Sequence, residues 1–142
     1  MKTTIPFKII KIDDEGFHLL IKVYINKKVA HLLIDTGASK SVFDKNRIKK
    51  FVSENKFELH DKLSTGLGSK KMIGHFTTFK KIKIGEMEIK DYTAFLLNLS
   101  SINESYEVMG LAPIDGVLGS DILVLKNAII DYKKQTLKFN YF

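Results

Sequence analysis

The chain has 142 residues, of which 44% are hydrophobic and 27% are charged, and it contains no cysteine. This size predicts one domain, residues 1–142, that can bury a core without disulfides or metals, and the composition excludes wholesale disorder. The lack of cysteine excludes disulfides, thiolate metal sites and a cysteine nucleophile. The four histidines are scattered without any ligand spacing, which predicts no metal site.

The formal net charge is +7, so nucleic acid has to be considered as a partner. The 23 basic residues comprise a single arginine, Arg47, and lysines that are spread along the chain. Base readout favours bidentate arginine, whereas dispersed lysines usually serve solubility. The charge therefore argues against nucleic acid binding.

The first residues lack the apolar stretch of a signal peptide, because Lys8 interrupts residues 5–10. No window approaches the about 20 apolar residues that a membrane-spanning helix needs. The sequence predicts a cytoplasmic protein without a membrane partner, or a periplasmic or exported protein if a signal was removed.

The first part of the chain is typical of β-structure. Residues 7–11 could form a first strand, and residues 17–25 and 29–34 are apolar runs with partial alternation. A turn at 26–28 joins the last two runs into a predicted hairpin.

Residues 44–54 differ, because their apolar side chains recur at helical spacing. Asp44 is a plausible N-cap, and Ile48, Phe51 and Val52 fall at i, i+3 and i+4. This pattern predicts a short amphipathic helix.

A glycine-rich turn follows at residues 64–69, and the chain is extended again over 72–84. Residues 81–89 alternate polar and apolar around a turn at 85–86, which predicts a second hairpin. This hairpin echoes residues 22–29, as a faint internal repeat would, although two hairpins can also be alike by chance.

Residues 98–113 are a polar connection with no clear period, and such long connections are often functional or mobile. Residues 116–119 resume the core, and Ser120 or Asp121 could cap a short helix over 122–125. Two closing strands are predicted at residues 127–132 and 136–142.

The chemically informative run is Asp35, Thr36, Gly37, Ala38 and Ser39, which follows an apolar strand directly. A strand would hold the carboxylate rigidly, and desolvation beside it would raise its pKa. Gly37 permits a tight turn and a close approach by a partner, Thr36 offers a hydroxyl for an interface, and Ala38 leaves space for a substrate. The tripeptide could also be only a turn, because Asp and Gly favour turns.

A second run, Val117-Leu118-Gly119, lies about 80 residues later and precedes the predicted helix. With these two motifs the chain resembles the single-lobe, retropepsin-like aspartic proteases. The order of hairpin, Asp-Thr-Gly motif, glycine-rich turn and second hairpin fits that family, and residues 127–132 look like the terminal strand of its bacterial members. The resemblance covers residues 17–139.

The resemblance implies a mainly β, single-lobe acid-protease fold: a closed β-barrel with a psi-loop active site and one or two short helices. It makes Asp35 the catalytic carboxylate and gives Thr36 the contact with the opposite subunit's loop. Gly37 and Ala38 complete the loop beside the substrate backbone. The segment that crosses this loop would be Val117, Leu118 and Gly119.

The resemblance also suggests substrate-binding residues. Ser39 stands where retroviral members usually carry an aspartate that grips the substrate, and serine can still form hydrogen bonds there. The flap over a bound peptide would include Gly66, Leu67 and Gly68, and residues 72–74 are the competing flap segment.

One Asp-Thr-Gly motif implies a dimer, because this family's chemistry needs two facing carboxylates that share a proton. A C2 homodimer brings the same loop to the axis twice. In the family, terminal strands often interleave between subunits; residues 4–11 and 137–142 could do so, or could close the chain's own sheet.

The sequence thus predicts an aspartic endopeptidase that uses activated water, without cofactor or metal, on an extended polypeptide. The alternative is an inactive peptide-binding or dimerisation module on the same fold. A basic β-domain bound to nucleic acid is the weakest of the three hypotheses.

Overall fold

The computed structural model describes residues 1–14, 16–53, 58–60 and 74–142, with the backbone alone for residues 58–60 and 74. The predicted flap residues Gly66, Leu67 and Gly68 lie outside the described residues. Eleven strands are present in the described part of the chain: β1 Lys2–Pro6, β2 Lys8–Lys11, β3 Phe17–Ile25, β4 Lys28–Ile34, β5 Val42–Asp44, β6 Glu58–His60, β7 Gly74–Ile84, β8 Met87–Leu97, β9 Gly116–Leu118, β10 Ile129–Asp131 and β11 Thr136–Asn140. The helices are α1 Ser100–Val108, α2 Ser120–Leu125 and a 3-10 turn at Ile48–Lys50.

Most strands belong to one sheet that closes on itself. Its order is β2-β3-β4-β9-β5-β8-β7-β6, and β3 also pairs with β7. That extra pairing, which joins Tyr24 to Lys83 and Ile25 to Ile82, closes a barrel of β3, β4, β9, β5, β8 and β7. The predicted mainly β fold with a closed barrel and two short helices is confirmed.

Both predicted hairpins are present, and their turns explain the registers. Ile25 pairs with Lys28 across a two-residue turn in which Asn26 and Lys27 both have positive φ. Such a turn matches the right-handed twist of the strands. In the second hairpin Gly85 has φ +61°, and a Cβ there would collide with Thr3 Oγ1.

The terminal strands pair within the chain. β1 runs antiparallel to β11, from Lys2 opposite Asn140 to Pro6 opposite Thr136, and β10 pairs with the other side of β11. The sequence allowed either interleaving between subunits or closure of the chain's own sheet. In this structure β1, β11 and β10 form a three-stranded sheet within one chain.

The helix expected over residues 44–54 was wrong. Asp44 is the last residue of β5, which pairs with β8 and β9, and only residues 48–50 form a helical turn. Ile48, Phe51 and Val52 are nevertheless buried as the pattern indicated. Pairing on both sides of a three-residue strand overrides the local helical pattern.

The connection at 98–113 contains a helix that the sequence interpretation missed. α1 buries Tyr106, which packs with Leu33, Leu99 and Ile114 in a small cluster outside the barrel. α2 includes the predicted residues 122–125 but begins two residues earlier, at Ser120, with Gly119 as its N-cap and no side-chain cap, so the expected cap by Ser120 or Asp121 was wrong. Within the described ranges, no helix is long and apolar enough to cross a bilayer.

Candidate active site

The run from Asp35 to Ser39 forms a tight loop between β4 and β5. The Asp35 N–H donates to Leu118 O over 2.9 Å, and Ala38 N–H donates to Asp35 O over 3.2 Å. Gly37 N–H donates to Asp35 Oδ1 over 3.0 Å. The Gly37 N–H therefore holds the carboxylate, and the backbone of Asp35 is tied both to the loop and to the neighbouring strand.

The run from Val117 to Gly119 lies against this loop. β9 lies between β4, to which it is parallel, and β5, to which it is antiparallel, so that Val117 is opposite both Leu33 and Val42. The strand before the loop, β4, and the strand after it, β5, therefore both pair with β9. This is the psi-shaped crossing that the resemblance implied.

Gly119 makes the crossing sterically possible. A Cβ at this position would lie 2.7–2.8 Å from backbone atoms of Ala38 and Lys40. Directly after it, Ser120 N–H donates to Ala38 O over 2.7 Å. The two chain segments touch through their backbones, which leaves no room for a side chain.

The single chain leaves the catalytic candidates open to solvent. Asp35, Thr36, Gly37 and Ser39 are exposed, and Ala38 is half-buried. The expected desolvation of Asp35 by its strand was wrong for one chain, because the loop leaves the sheet at Ile34. Gly37 has no left-handed φ, and a Cβ there would be 3.4 Å from Asp35 Oδ1, so the turn itself does not require glycine.

A cleft of about 260 Å³ lies beside Asp35 and Thr36. Phe17 and Tyr132 line it and are each 65% exposed. His18 lines it as well, and its Nδ1 is 2.7 Å from the Tyr106 hydroxyl. Burial raises the pKa of Tyr106 further above neutral, and the protonated hydroxyl is able to donate to His18.

The aspartyl protease family model matches residues 21–122, a stretch that contains both the Asp35 loop and its crossing. This chain belongs to the aspartyl protease family. No curated protein matches it closely.

Solved structures show the fold of this chain. It is similar to a retropepsin-like aspartic protease from Rickettsia conorii, with 23% identity, a TM-score of 0.58, and coverage of 99% of this chain and 94% of the other. It is also similar to the retroviral protease-like domain of Ddi1 from Leishmania major, with 15% identity, a TM-score of 0.58, and coverage of 88% and 90%. The fold is retropepsin-like.

A buried network behind the loop was not found from the sequence. Ser41, which is 1% exposed, donates through its N–H and Oγ to Asp121 Oδ1 over 2.9 and 2.7 Å. Its Oγ also accepts the Gly119 N–H over 2.8 Å, and the Tyr92 hydroxyl donates to Asp121 Oδ2 over 3.2 Å. Burial, and then the charge of Asp121, raises the pKa of Tyr92. This network ties the end of the loop to the crossing segment. The only sequence signal for it is the pair of polar residues just outside the two motifs, Ser41 and Asp121.

A second network holds the start of the crossing segment. The Asp115 carboxylate is 2% exposed and accepts the His31 N–H over 2.9 Å, Arg47 Nε over 2.8 Å and Lys50 Nζ over 3.0 Å. Burial opposes ionisation, but these three donors hold the pKa of Asp115 below its usual value. The single arginine therefore serves a structural ion pair beneath the barrel strands.

The strands that carry the predicted flap region are in place. β6 and β7 pair antiparallel, with His60 opposite Gly74, and residues 61–73 lie outside the described residues. Gly74, the last residue of the competing flap segment, is the first residue of β7, and Met72 and Ile73 lie outside the described residues. Among the side chains that the structure describes, no three histidines or carboxylates are grouped as a metal site would need.

Proposed function

We propose that the protein is an aspartic endopeptidase whose active site forms between two copies of the chain, with Asp35 of each copy at the shared centre. The observation that carries this proposal is the Asp35 loop: its carboxylate accepts the Gly37 N–H, Val117–Gly119 lies against it, and one side is left open to solvent. The chain's membership of the aspartyl protease family supports peptide-bond hydrolysis by a carboxylate pair.

The chemistry needs a second carboxylate, because one group must accept a proton while another donates one. Among the described residues, Asp35 is the only carboxylate that lines its cleft. Two copies related by a two-fold axis would supply the pair. The two groups would then share one proton, since like charges at close range cannot both ionise cheaply.

In the reaction that we propose, the ionised Asp35 takes a proton from a water molecule, whose oxygen attacks the scissile carbonyl carbon. The protonated Asp35 of the other copy donates its proton to the carbonyl oxygen. The tetrahedral intermediate collapses when its C–N bond breaks: the first Asp35 gives the proton that it took from water to the leaving nitrogen, and a hydroxyl of the intermediate returns a proton to the second Asp35. Products leave as a free carboxylate and a free amine.

Exposed apolar side chains around the loop support an interface with a second copy. Phe17 and Tyr132 line the Asp35 cleft and are largely exposed. On α2, directly after the crossing segment, Val124 is 71% and Leu125 is 77% exposed. Clustered apolar surface of this kind usually marks an interface.

Activity is tested with a mixed peptide library over pH ~4 to 8, comparing the wild type with Asp35→Asn and adding a transition-state-mimicking inhibitor. We expect cleavage by the wild type alone, blocked by the inhibitor. Sedimentation at the same concentration gives the oligomeric state. A dimer that cleaves nothing would instead support an inactive peptide-binding module.

Subunit mixing tests whether the site is shared. If Asp35→Asn chains are exchanged into wild-type protein at an equal amount, random pairing puts about half of the wild-type chains into mixed dimers. Activity per wild-type chain should then fall to about half. An unchanged activity would refute a site built from two chains.

The interface is tested with a matched pair of substitutions. Val124→Glu places a charge on the apolar surface beside the loop, whereas Val108→Glu makes the same change on α1, where Val108 is 89% exposed. We expect Val124→Glu to weaken the dimer and cleavage together, and Val108→Glu to leave both unchanged. Equal behaviour of the two variants would place the interface elsewhere.

A further inference from the structure

A groove of about 450 Å³ lies at the far end of the barrel from Asp35. It runs between the β3–β4 turn, the segment after the 3-10 turn, and the middle of β7 and β8. Four lysines line it together with two apolar side chains, and we call it the lysine groove. The lysines are Lys27, Lys80, Lys81 and Lys90, and the apolar side chains are Phe51 and Val52.

The lysine groove carries positive charge that the described part of the chain does not balance. Lys81 bonds to Glu88 over 3.0 Å, whereas Lys27, Lys80 and Lys90 form no ion pair with a described residue. Lys81 and Lys90 are opposite each other on β7 and β8. Directly opposed like charges destabilise a sheet, so this arrangement favours a bound anionic group.

The lowered pKa of Glu88 is consistent with the same positive field. Its pKa lies below the usual value, first because it is hydrogen-bonded to Lys81 and further because of the charges of Lys81, Lys90 and Lys83. An exposed carboxylate beside this groove is therefore held in its ionised form. Carboxylates of another molecule would meet the same potential.

The groove is also preformed and has an apolar floor. Asn26 Nδ2 donates to Phe51 O over 2.9 Å, and Lys81 N–H donates to Asn26 Oδ1 over 3.2 Å. Asn26 N–H donates to Lys81 O over 2.9 Å. The β3–β4 turn, the segment after the 3-10 turn and β7 are thus hydrogen-bonded to one another. Phe51 and Val52, which line the groove, are buried. A preformed site loses little conformational entropy on binding.

We propose that the lysine groove binds an acidic segment of an extended polypeptide. Charge complementarity selects carboxylates, and the apolar floor suits a segment in which acidic and apolar side chains alternate. The lining contains no arginine, the residue that dominates base recognition. A protein segment therefore fits this groove better than a nucleic acid does.

The position of the lysine groove adds a rule for substrates, which rests on the proteolytic function proposed above. Lys27 precedes β4 and Asp35 follows it, so eight residue steps along the strand separate them by about 26 Å. An extended chain covers that span with about eight residues. The groove would hold an acidic segment at least that far from the bond that is cut.

Binding is measured on the full chain carrying Asp35→Asn, so that no cleavage intervenes. The probe is a fluorescein-labelled hexapeptide of three Glu-Val pairs, titrated at ~50 mM and ~300 mM salt, with the corresponding Lys-Val peptide as control. We expect saturable binding of the acidic peptide that weakens with salt. No binding at low salt would overturn the proposal and leave the proteolytic one untouched.

The site of binding is identified with two triple variants of equal charge. The groove variant carries Lys27→Gln, Lys80→Gln and Lys90→Gln. The control variant carries Lys2→Gln, Lys133→Gln and Lys134→Gln, all exposed and remote from the groove lining.

We expect the groove variant to bind the acidic peptide about tenfold more weakly, as three exposed ion pairs would predict, and the control variant to bind as before. If both variants bound the acidic peptide equally weakly, the peptide would be attracted by net charge alone. That result would overturn the assignment of the binding site to the lysine groove. Tighter binding of an oligothymidylate with the same charge as the peptide would overturn the choice of a polypeptide.

Discussion

Gly119 of the crossing segment and Gly37 of the Asp35 loop should respond in opposite ways to the addition of a methyl group. Gly119 meets the backbones of Ala38 and Lys40, whereas Gly37 faces open space apart from the Asp35 carboxylate. Substituting each by alanine therefore tests whether the crossing or the loop turn requires glycine. The two variants differ from the wild type by the same atoms.

The expected magnitudes follow from the contact distances. A Cβ at Gly119 would have to move about 0.6 Å away from three backbone atoms to reach ordinary contact at 3.4 Å. Overpacking costs about 1–3 kcal/mol, and stretching the Ser41–Gly119 hydrogen bond adds about 1 kcal/mol. Gly37→Ala should instead stabilise by about 0.4–1 kcal/mol, because alanine restricts the unfolded chain.

The assay is urea denaturation followed by circular dichroism at several protein concentrations, which separates folding from association. We expect the two variants to differ by about 4 kcal/mol in the free energy of unfolding. Gly37→Ala should nevertheless lose peptide cleavage, because the proposed partner or substrate approaches that face. A Gly119→Ala protein within about 1 kcal/mol of the wild type would refute the steric reasoning.

Two further substitutions test the networks behind the loop. Asp115→Asn should lower the free energy of unfolding by about 2–3 kcal/mol at neutral pH, while Asp14→Asn at an exposed site should not. Because folding depresses the pKa of Asp115, its contribution is complete above about pH 4 and is lost as pH falls through the folded-state pKa. Acid titration of stability should therefore be flatter in this variant, and an unchanged profile would contradict the assignment. Ser41→Ala should cost about 2–3 kcal/mol in thermal or urea unfolding, because it leaves the Gly119 N–H without its acceptor, whereas Ser105→Ala on the surface of α1 should cost far less.

Local chemistry made the barrel hairpins and the loop predictable. Turn residues between alternating strands at 26–28 and 85–86 made both hairpins predictable without tertiary information, although Lys28 belongs to β4 and the first turn is one residue shorter than predicted. The Asp35 loop and its crossing could be inferred because a carboxylate after an apolar strand and an apolar-apolar-glycine run are distinctive together.

Tertiary contacts decided the rest. Asp44 was expected to cap a helix, but its carboxylate accepts the Leu99 N–H over 3.2 Å and Asn103 Nδ2 over 3.1 Å, both more than 50 residues away. α1 could have been found from Ile102, Tyr106 and Met109, which recur at helical spacing within a polar segment. Nothing local indicates that these few apolar residues suffice to bury one face of a helix.

The meeting of the chain ends has a consequence for the topology of the molecule. The Met1 amino group donates to Tyr141 O over 2.6 Å, and Tyr141 N–H donates to Met1 O over 2.8 Å. A short peptide could therefore fuse the ends into a backbone circle, and reopening it at the exposed Lys133–Lys134 turn would give a circular permutant. In that permutant β11 and β1 would become a covalent hairpin, and the new ends would emerge next to Tyr132, beside the Asp35 cleft.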